Sequence, residues 1–368
     1  MAFNWLKEAT VTDPVQMGYV GCGFMAQKVH IPNITELDCC ELVALAEVRP
    51  RLGRKVQRHY DVPRLHGGHR ELAEDPEVEA VAVSAHYSRQ GDIAAELLRA
   101  GKDVFMEKPM ATSLRQAERV MEAVGASGRR LMVGYMKRYD AGNELVKEHV
   151  QSFLESGELG GIQYVRNHGF CGDWIAGQDA PVIRTNEPKP EAETHWPEWL
   201  PERFRRGYLG YLQQYTHNVN LLRWFLGAGG DVDLRAVDLE EGGLRGVVVL
   251  QVAGRRAVIE SGSLPYHSWE EHTQIYFDRG WVKTCAPPIM LKNIPASVEV
   301  YRGDRDDKTT CDVFPANGRS WSYKEEMRHF CERLRSGHPF RSPAADAVHD
   351  VRVLEDIYRM HVDCVTGS

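Results

Sequence analysis

As far as about residue 135, apolar residues fall in short runs separated by longer amphipathic stretches. Met17-Gly18-Tyr19-Val20, Leu42-Val43-Ala44-Leu45-Ala46, Val78-Glu79-Ala80-Val81-Ala82-Val83, Val104-Phe105-Met106 and Leu131-Met132-Val133-Gly134-Tyr135 read as strands. Helical spacing between them predicts helices over 49–59, around 71–76, through 93–98 with a stop at Gly101, and over 113–124. Strand and helix in alternation predict a doubly wound parallel sheet. After Tyr139 the pattern changes. A helix around 143–156 ends at Gly157, a strand covers 162–168, and a helix runs through 211–226. Strands over 232–239, 244–252, 257–263, 274–277, 281–284 and 298–301 predict a mostly antiparallel sheet, and helices over 323–336 and 344–362 close the sequence. The stretch from Gly172 to about Arg206 is too long for an ordinary connection. Its Trp174, Trp196 and Trp199 argue against disorder, so a lid or a subunit arm is expected.

Composition adds limits. A chain of 368 residues suits two domains better than one core. It carries 45 basic and 52 acidic residues, net −7, with no basic tract, which makes nucleic acid and anionic membrane poor partners. No apolar run approaches the roughly 20 residues of a membrane span. The segment Met1–Glu8 lacks a signal pattern, so a cytoplasmic location is expected. Eight scattered cysteines with no Cys-x-x-Cys pair read as free thiols, and no metal site is expected.

The candidate chemistry sits where strands end. Gly21-Cys22-Gly23-Phe24-Met25-Ala26 follows the first strand and has the G-x-G-x-x-A spacing of a dinucleotide turn. Its first glycine allows the turn, and the second lets pyrophosphate approach the backbone. The second strand ends in Glu47, 26 residues after Gly21, where an acid can bond both ribose hydroxyls of NAD and repel the 2′-phosphate of NADP. Arg49 and Arg51 follow and could pair with that phosphate, so NAD(H) is favoured and NADP(H) remains open. Asp103-Val104-Phe105-Met106-Glu107-Lys108-Pro109 brings Glu107 and Lys108 to the carboxyl end of a strand, where ligands gather in open α/β sheets.

These segments, with Ala100–Pro109, Val133–Tyr139 and His217–Gly227, resemble the glucose–fructose oxidoreductase, inositol dehydrogenase and MocA family. The resemblance covers about Gln16–Met360 and implies an α/β Rossmann domain followed by an α+β domain with a large, mostly antiparallel open sheet. It divides the chain into an N-terminal extension (1–15), an NAD(P)-binding domain (16–137), a substrate and oligomerisation domain (138–340), and a final helix (341–368) packing back on the first domain. It implies NAD(P)-dependent hydride transfer at a secondary alcohol of a sugar, cyclitol or polyol, in a homodimer or homotetramer. Lys108 matches the lysine that touches nicotinamide and the reacting hydroxyl, and His217 the acid/base position. Tyr135, Arg138, His168, Gln213 and Asn220 are expected around the substrate. Gly21, Gly23, Phe24, Met25, Glu47, Arg49, Ser84, His86, Glu107 and Lys108 are expected around the cofactor. The family's usual Asp residues near the histidine are Gln213 and Asn220 here, and His86 stands where a Thr-Pro pair is common.

Residues 213 and 217 share a helix face, so Gln213 would orient the ring without adding charge. A neutral His217 acting as base is therefore expected. The same motifs also fit an NAD-cycling glycosidase or eliminase that oxidises its sugar transiently, and, with less support, a nucleotide-binding protein without catalysis.

Overall fold

The computed structural model describes residues 13–172, 174, 175, 178, 180–189, 191, 193–266, 268–303, 309–314 and 320–367. Of the expected extension, residues 1–12 lie outside them. The alternating part of the sequence folds as β1 (Val15–Val20), a wide turn of helix at Ala26–His30 running into α1 (Ile31–Glu36), β2 (Cys40–Ala46), α2 (Pro50–Tyr60), β3 (Arg64–His66), α3 (His69–Glu74), β4 (Ala80–Val83), α4 (Tyr87–Arg99), β5 (Asp103–Glu107), α5 (Leu114–Ser127) and β6 (Leu131–Gly134). All six strands are parallel, in the order β3-β2-β1-β4-β5-β6. The order reverses between β1 and β4, which opens a crevice beyond their carboxyl ends. Strand β3 has only three residues, too few for periodicity to reveal.

The second half begins with a 3₁₀ turn at Met136–Tyr139 and continues through α6 (Ala141–Ser156), β7 (Ile162–Cys171) and α7 (Arg205–Leu226). Strands β8 (Val232–Leu239), β9 (Gly246–Val252), β10 (Arg255–Ser263), β11 (Trp269–Phe277), β12 (Gly280–Cys285), β13 (Ser297–Arg302) and β14 (Thr310–Phe314) follow, then α8 (Ser322–Ser336) and α9 (Ala344–Thr366). The second sheet runs β14-β13-β12-β11-β7-β10-β9-β8 and is antiparallel except where β7 meets β10. Its inner face, carrying Val165, Val248, Ile259, Ile275 and Val282, packs under α6 and α7 through Val150, Phe153, Tyr211 and Leu222. Because side chains alternate along a strand, the other face is left open.

The chain returns to the first domain earlier than expected. Helix α8 was assigned by sequence to the substrate domain, but its Met327, Phe330 and Cys331 join Met17, Leu42 and Phe105 in the core beneath the first sheet. Helix α9 spans both domains. Ala344, Ala347 and Val351 belong to the core of β4, β5 and β6, while Leu354, Ile357 and Tyr358 belong to that of α7.

A buried ionic cluster pins this junction. Arg223 on α7 is 1% exposed and reaches Asp350 Oδ1 at 2.5 Å and Asp346 Oδ1 at 2.6 Å, both on α9. Removing one partner of such a pair strands a charge away from water. Asp350→Ala is therefore expected to cost about 3–5 kcal/mol of stability, read as a lower urea midpoint with the unfolding slope unchanged.

Candidate active site

The glycine turn closes the top of β1. Gly21 has φ +94°, and a Cβ there would lie 2.8 Å from the Ser84 carbonyl oxygen, so only glycine fits between the ends of β1 and β4. A Cβ on Gly23 would meet nothing within 4 Å. Turns of this spacing keep such space for the pyrophosphate of a dinucleotide. Phe24 and Met25 pack beside Val29, Met136 and Trp321. Ser84 Oγ accepts from Tyr19 Oη at 2.7 Å. His86 is exposed at the crevice edge, its Nδ1 2.6 Å from Ser88 Oγ and its ring 3.9 Å from Tyr87, and partial burial holds its pKa below the usual value.

Glu47 ends β2 beside this turn but is not a free acid. Its Oε2 accepts from Cys22 N at 2.7 Å and from Arg49 Nη2 at 3.0 Å. Its Oε1 accepts from Arg49 N at 3.0 Å and Arg49 Nε at 2.8 Å. The four acceptor positions of the carboxylate are thus filled. Rotating the Arg49 side chain away leaves one backbone bond on each oxygen and one open position on each, which suits a ribose diol.

At the other end of the crevice β5 delivers Lys108 through a cis Lys108–Pro109 bond. Lys108 Nζ donates to the carbonyl of Gln213 on α7 at 3.0 Å, one helical turn before His217. His217 is 7% exposed, and neither ring nitrogen has a hydrogen-bond partner. Two buried nitrogens without partners are costly unless a ligand satisfies them. Burial, followed by the nearby ammonium groups of Lys108 and Lys137, pushes the His217 pKa well below its usual value, so the imidazole is neutral. Burial likewise lowers the Lys108 pKa, with Glu107 and Glu326 opposing it.

Other expected residues take different places. Gln213 makes no bond to the His217 ring, whose nitrogens are both unpartnered, and its side chain lies towards the Tyr87 hydroxyl instead. Glu107 turns inward, with Oε1 2.8 Å from His30 Nε2. Arg138 and Asn220 are structural. Arg138 Nε donates to Asn220 Oδ1 at 2.6 Å and its guanidinium pairs with Asp346, while Asn220 Nδ2 donates to Asp350. These bonds extend the buried cluster of Arg223 and leave no group for a substrate. Tyr135 is buried at 1% exposure against Thr216, 3.3 Å from its hydroxyl. His168 lies on the wrong face. Asn167 bonds Asn218 of α7 and Thr273, so its neighbour His168 points to the open face, stacked 4.8 Å from His272 and bonded to Glu260. Trp199 donates to Glu355 and Trp196 lies under the Arg205 guanidinium, so both pack the arm against helices.

Lys137 was missed. It pairs with Glu271 of β11, whose second oxygen has no partner, and its pKa falls to about 8, chiefly through burial. Its position in Tyr135-Met136-Lys137-Arg138-Tyr139 was the available signal. Glu326 of α8 was also missed. Both its oxygens are buried without partners beside Glu107, and burial and that neighbour raise its pKa so that it stays protonated. Cys331 joins Cys39 and Cys40 with all three sulfurs within 4.8 Å, an approach that sequence distance concealed.

Residues 15–135 match the family model described as the oxidoreductase family with NAD-binding Rossmann fold. The chain is 24% identical to a myo-inositol 2-dehydrogenase of Thermotoga maritima over 340 residues, covering 88% of this chain and 90% of that protein. It is 32% identical to an inositol 2-dehydrogenase of Pseudomonas fluorescens over 149 residues, which is 40% of this chain and 43% of the relative. A 3-ketoreductase of Actinomadura kijaniata, solved with NADP and TDP-benzene, superposes with a TM-score of 0.70 at 20% identity, covering 94% of this chain and 98% of the other. An aldose–aldose oxidoreductase of Caulobacter crescentus, solved with glycerol, gives a TM-score of 0.70 at 20% identity over 94% and 97%. The two solved structures share the fold. Among the described residues no helix is long and apolar enough to cross a membrane.

Proposed function

We propose that the chain, whose residues 15–135 match the oxidoreductase family with NAD-binding Rossmann fold, belongs to the glucose–fructose oxidoreductase, inositol dehydrogenase and MocA family as a dehydrogenase or reductase acting on CH–OH groups, and that its substrate is a sugar, a cyclitol or a related polyol, oxidised or reduced at one secondary carbon. The observation that carries this reading is the buried His217 ring with both nitrogens unpartnered, one helical turn from the carbonyl that holds the Lys108 amine and within the electrostatic reach of Lys108 and Lys137. A polyol suits such a site, since one hydroxyl can donate to the bare ring nitrogen and accept from an amine while a second oxygen accepts from the ring N–H.

Bound nicotinamide would supply the hydride acceptor or donor. The residues around it handle the proton and the charge. Neutral His217 takes the hydroxyl proton during oxidation and returns it during reduction. The Lys108 ammonium, anchored on the Gln213 carbonyl, stabilises the developing alkoxide. Lys137 adds positive potential, while its pairing with Glu271 fixes where that charge lies. The open space above Gly23 and the acid–amide contact of Glu47 with Cys22 support a dinucleotide in the crevice, with NAD favoured over NADP.

Every relative named above is a dehydrogenase, a reductase or an oxidoreductase, which does not favour a cycling glycosidase. The test is a panel of inositols, aldoses and their glycosides with NAD, followed by the absorbance of reduced nicotinamide. One equivalent of reduced cofactor per substrate oxidised is expected; release of aglycone with no net reduction would point to the cycling enzyme.

We further propose a homodimer or homotetramer that buries the open face of the second sheet. Aromatic rows support it, with Tyr164 6.3 Å from Tyr276 and Trp281 stacked 5.6 Å from Tyr301. Single-chain mass by light scattering at micromolar concentration would refute it. A cytoplasmic location is proposed with it, in keeping with eight free thiols.

A further inference from the structure

The arm between β7 and α7 crosses the crevice at the end of β2. Ile183 N donates to Gln27 Oε1 at 2.8 Å, and Gln27 Nε2 returns a bond to Ile183 O at 3.1 Å. Lys28 Nζ donates to Pro181 O at 3.2 Å. Further along, Glu187 reaches the first turn of α2. Its Oε1 accepts from Arg51 N and its Oε2 from Leu52 N, each at 2.9 Å. Thr185 Oγ1 holds the same Oε2 at 2.8 Å, and Arg51 Nε lies 3.8 Å from Oε1. The Glu187 side chain is only 10% exposed. On the other side of this turn Glu47 holds Arg49 N, so two carboxylates bracket the start of α2.

We propose that Glu187 is a specificity-determining residue for the cofactor: a carboxylate delivered by the arm that excludes a 2′-phosphate and so selects NAD over NADP. The inference rests on the dinucleotide reading above. A 2′-phosphate needs guanidinium or N–H donors near the end of β2. The donors at the start of α2 are already taken. The Arg49 guanidinium and amide are bonded to Glu47, the amides of Arg51 and Leu52 to Glu187, and Arg51 Nη2 to Asn186 Oδ1. A phosphate entering here must displace a carboxylate and then remain beside it, at the cost of like-charge repulsion. The diol of NAD needs acceptors instead, and only the Arg49 side chain has to move to free two on Glu47.

The surroundings make this one acid decisive. Arg51, Lys55 and Arg184, with Thr185 and Asn186, line a cavity of about 500 Å³ next to it. Without the Glu187 charge, that basic wall attracts a phosphate. The carboxylate offsets it, and the arm supplies it from outside the nucleotide-binding domain.

The test is calorimetric binding of NAD and of NADP to the wild-type protein, to Glu187→Gln, which keeps shape and removes charge, and to Thr185→Val, which loosens the grip on Glu187. Wild-type protein is expected to prefer NAD. Glu187→Gln should raise the NADP-to-NAD ratio of association constants by about tenfold or more, with a smaller shift in the same direction for Thr185→Val. A ratio unchanged in both variants while NAD still binds overturns the role of Glu187. A wild-type preference for NADP overturns it as well. Failure of wild-type protein to bind either nucleotide would instead remove the cofactor reading, and this inference with it.

Discussion

Replacing Lys108 by alanine is expected to lower turnover by about 10²–10⁴-fold, within the range for losing a positioned charge or proton-transfer group. Nucleotide affinity should change far less, because the phosphate and ribose contacts are proposed at the glycine turn and Glu47. The amine is fixed by one bond to the Gln213 carbonyl, so its charge is placed before substrate arrives. Lys108→Arg should not restore activity. A guanidinium cannot release a proton near neutrality and its planar fork does not fit a site built for one compact ammonium. Steady-state kinetics with the best substrate of the panel, together with nucleotide titration, checks both parts. A variant keeping more than about a tenth of wild-type turnover would show that Lys108 carries no transition-state charge.

His217→Gln is expected to cause a comparable loss, about 10²–10⁴-fold, and to abolish the acid limb of the rate profile. In wild-type protein that limb lies below the usual histidine pKa of about 6.5, because burial and then Lys108 and Lys137 depress the His217 value. Oxidation requires the neutral ring, so activity is full above the limb and falls as pH drops through it. Lys137→Gln removes one neighbouring cation and should move the limb to higher pH. Stability follows the same sign. The folded pKa lies below the unfolded value, so the unfolded chain binds the extra proton first. The contribution of a neutral buried His217 is complete above about pH 6.5 and is lost as pH falls through the folded value. His217→Gln should therefore be less sensitive to acid than wild-type protein, measured by urea midpoints across that range.

Much of the architecture was legible because it is written in local order. Runs such as Leu42–Ala46 and Val104–Met106, with helices between them, have few alternatives to a doubly wound sheet. Gly21 announced its turn because the backbone there excludes other residues, whereas Gly23 leaves open space above it. Lys108 and His217 were singled out by the resemblance of their motifs, and although 109 positions of chain separate them, the Lys108 amine reaches the turn of α7 that precedes His217. The failures have a common cause. His168 was expected beside the substrate, but local sequence does not tell which face of β7 the helix α7 covers, and Asn167 is the residue that meets it. Arg138 and Asn220 have the side chains of substrate ligands, and only contact with Asp346 and Asp350 of α9 makes them structural. Lys137 looked like one more cation until the second sheet brought Glu271 to it.

The sequence by itself determined the parallel first sheet, the mostly antiparallel second sheet and the glycine turn, since periodicity and backbone sterics act over a few residues. Tertiary structure alone decided which polar groups remain unpartnered, because that depends on neighbours brought from distant parts of the chain. The His217 ring is left open in this way, whereas the Arg223, Arg138 and Asn220 side chains are consumed by α9. Burial then holds the open imidazole neutral, the state expected from Gln213 but reached here chiefly through desolvation.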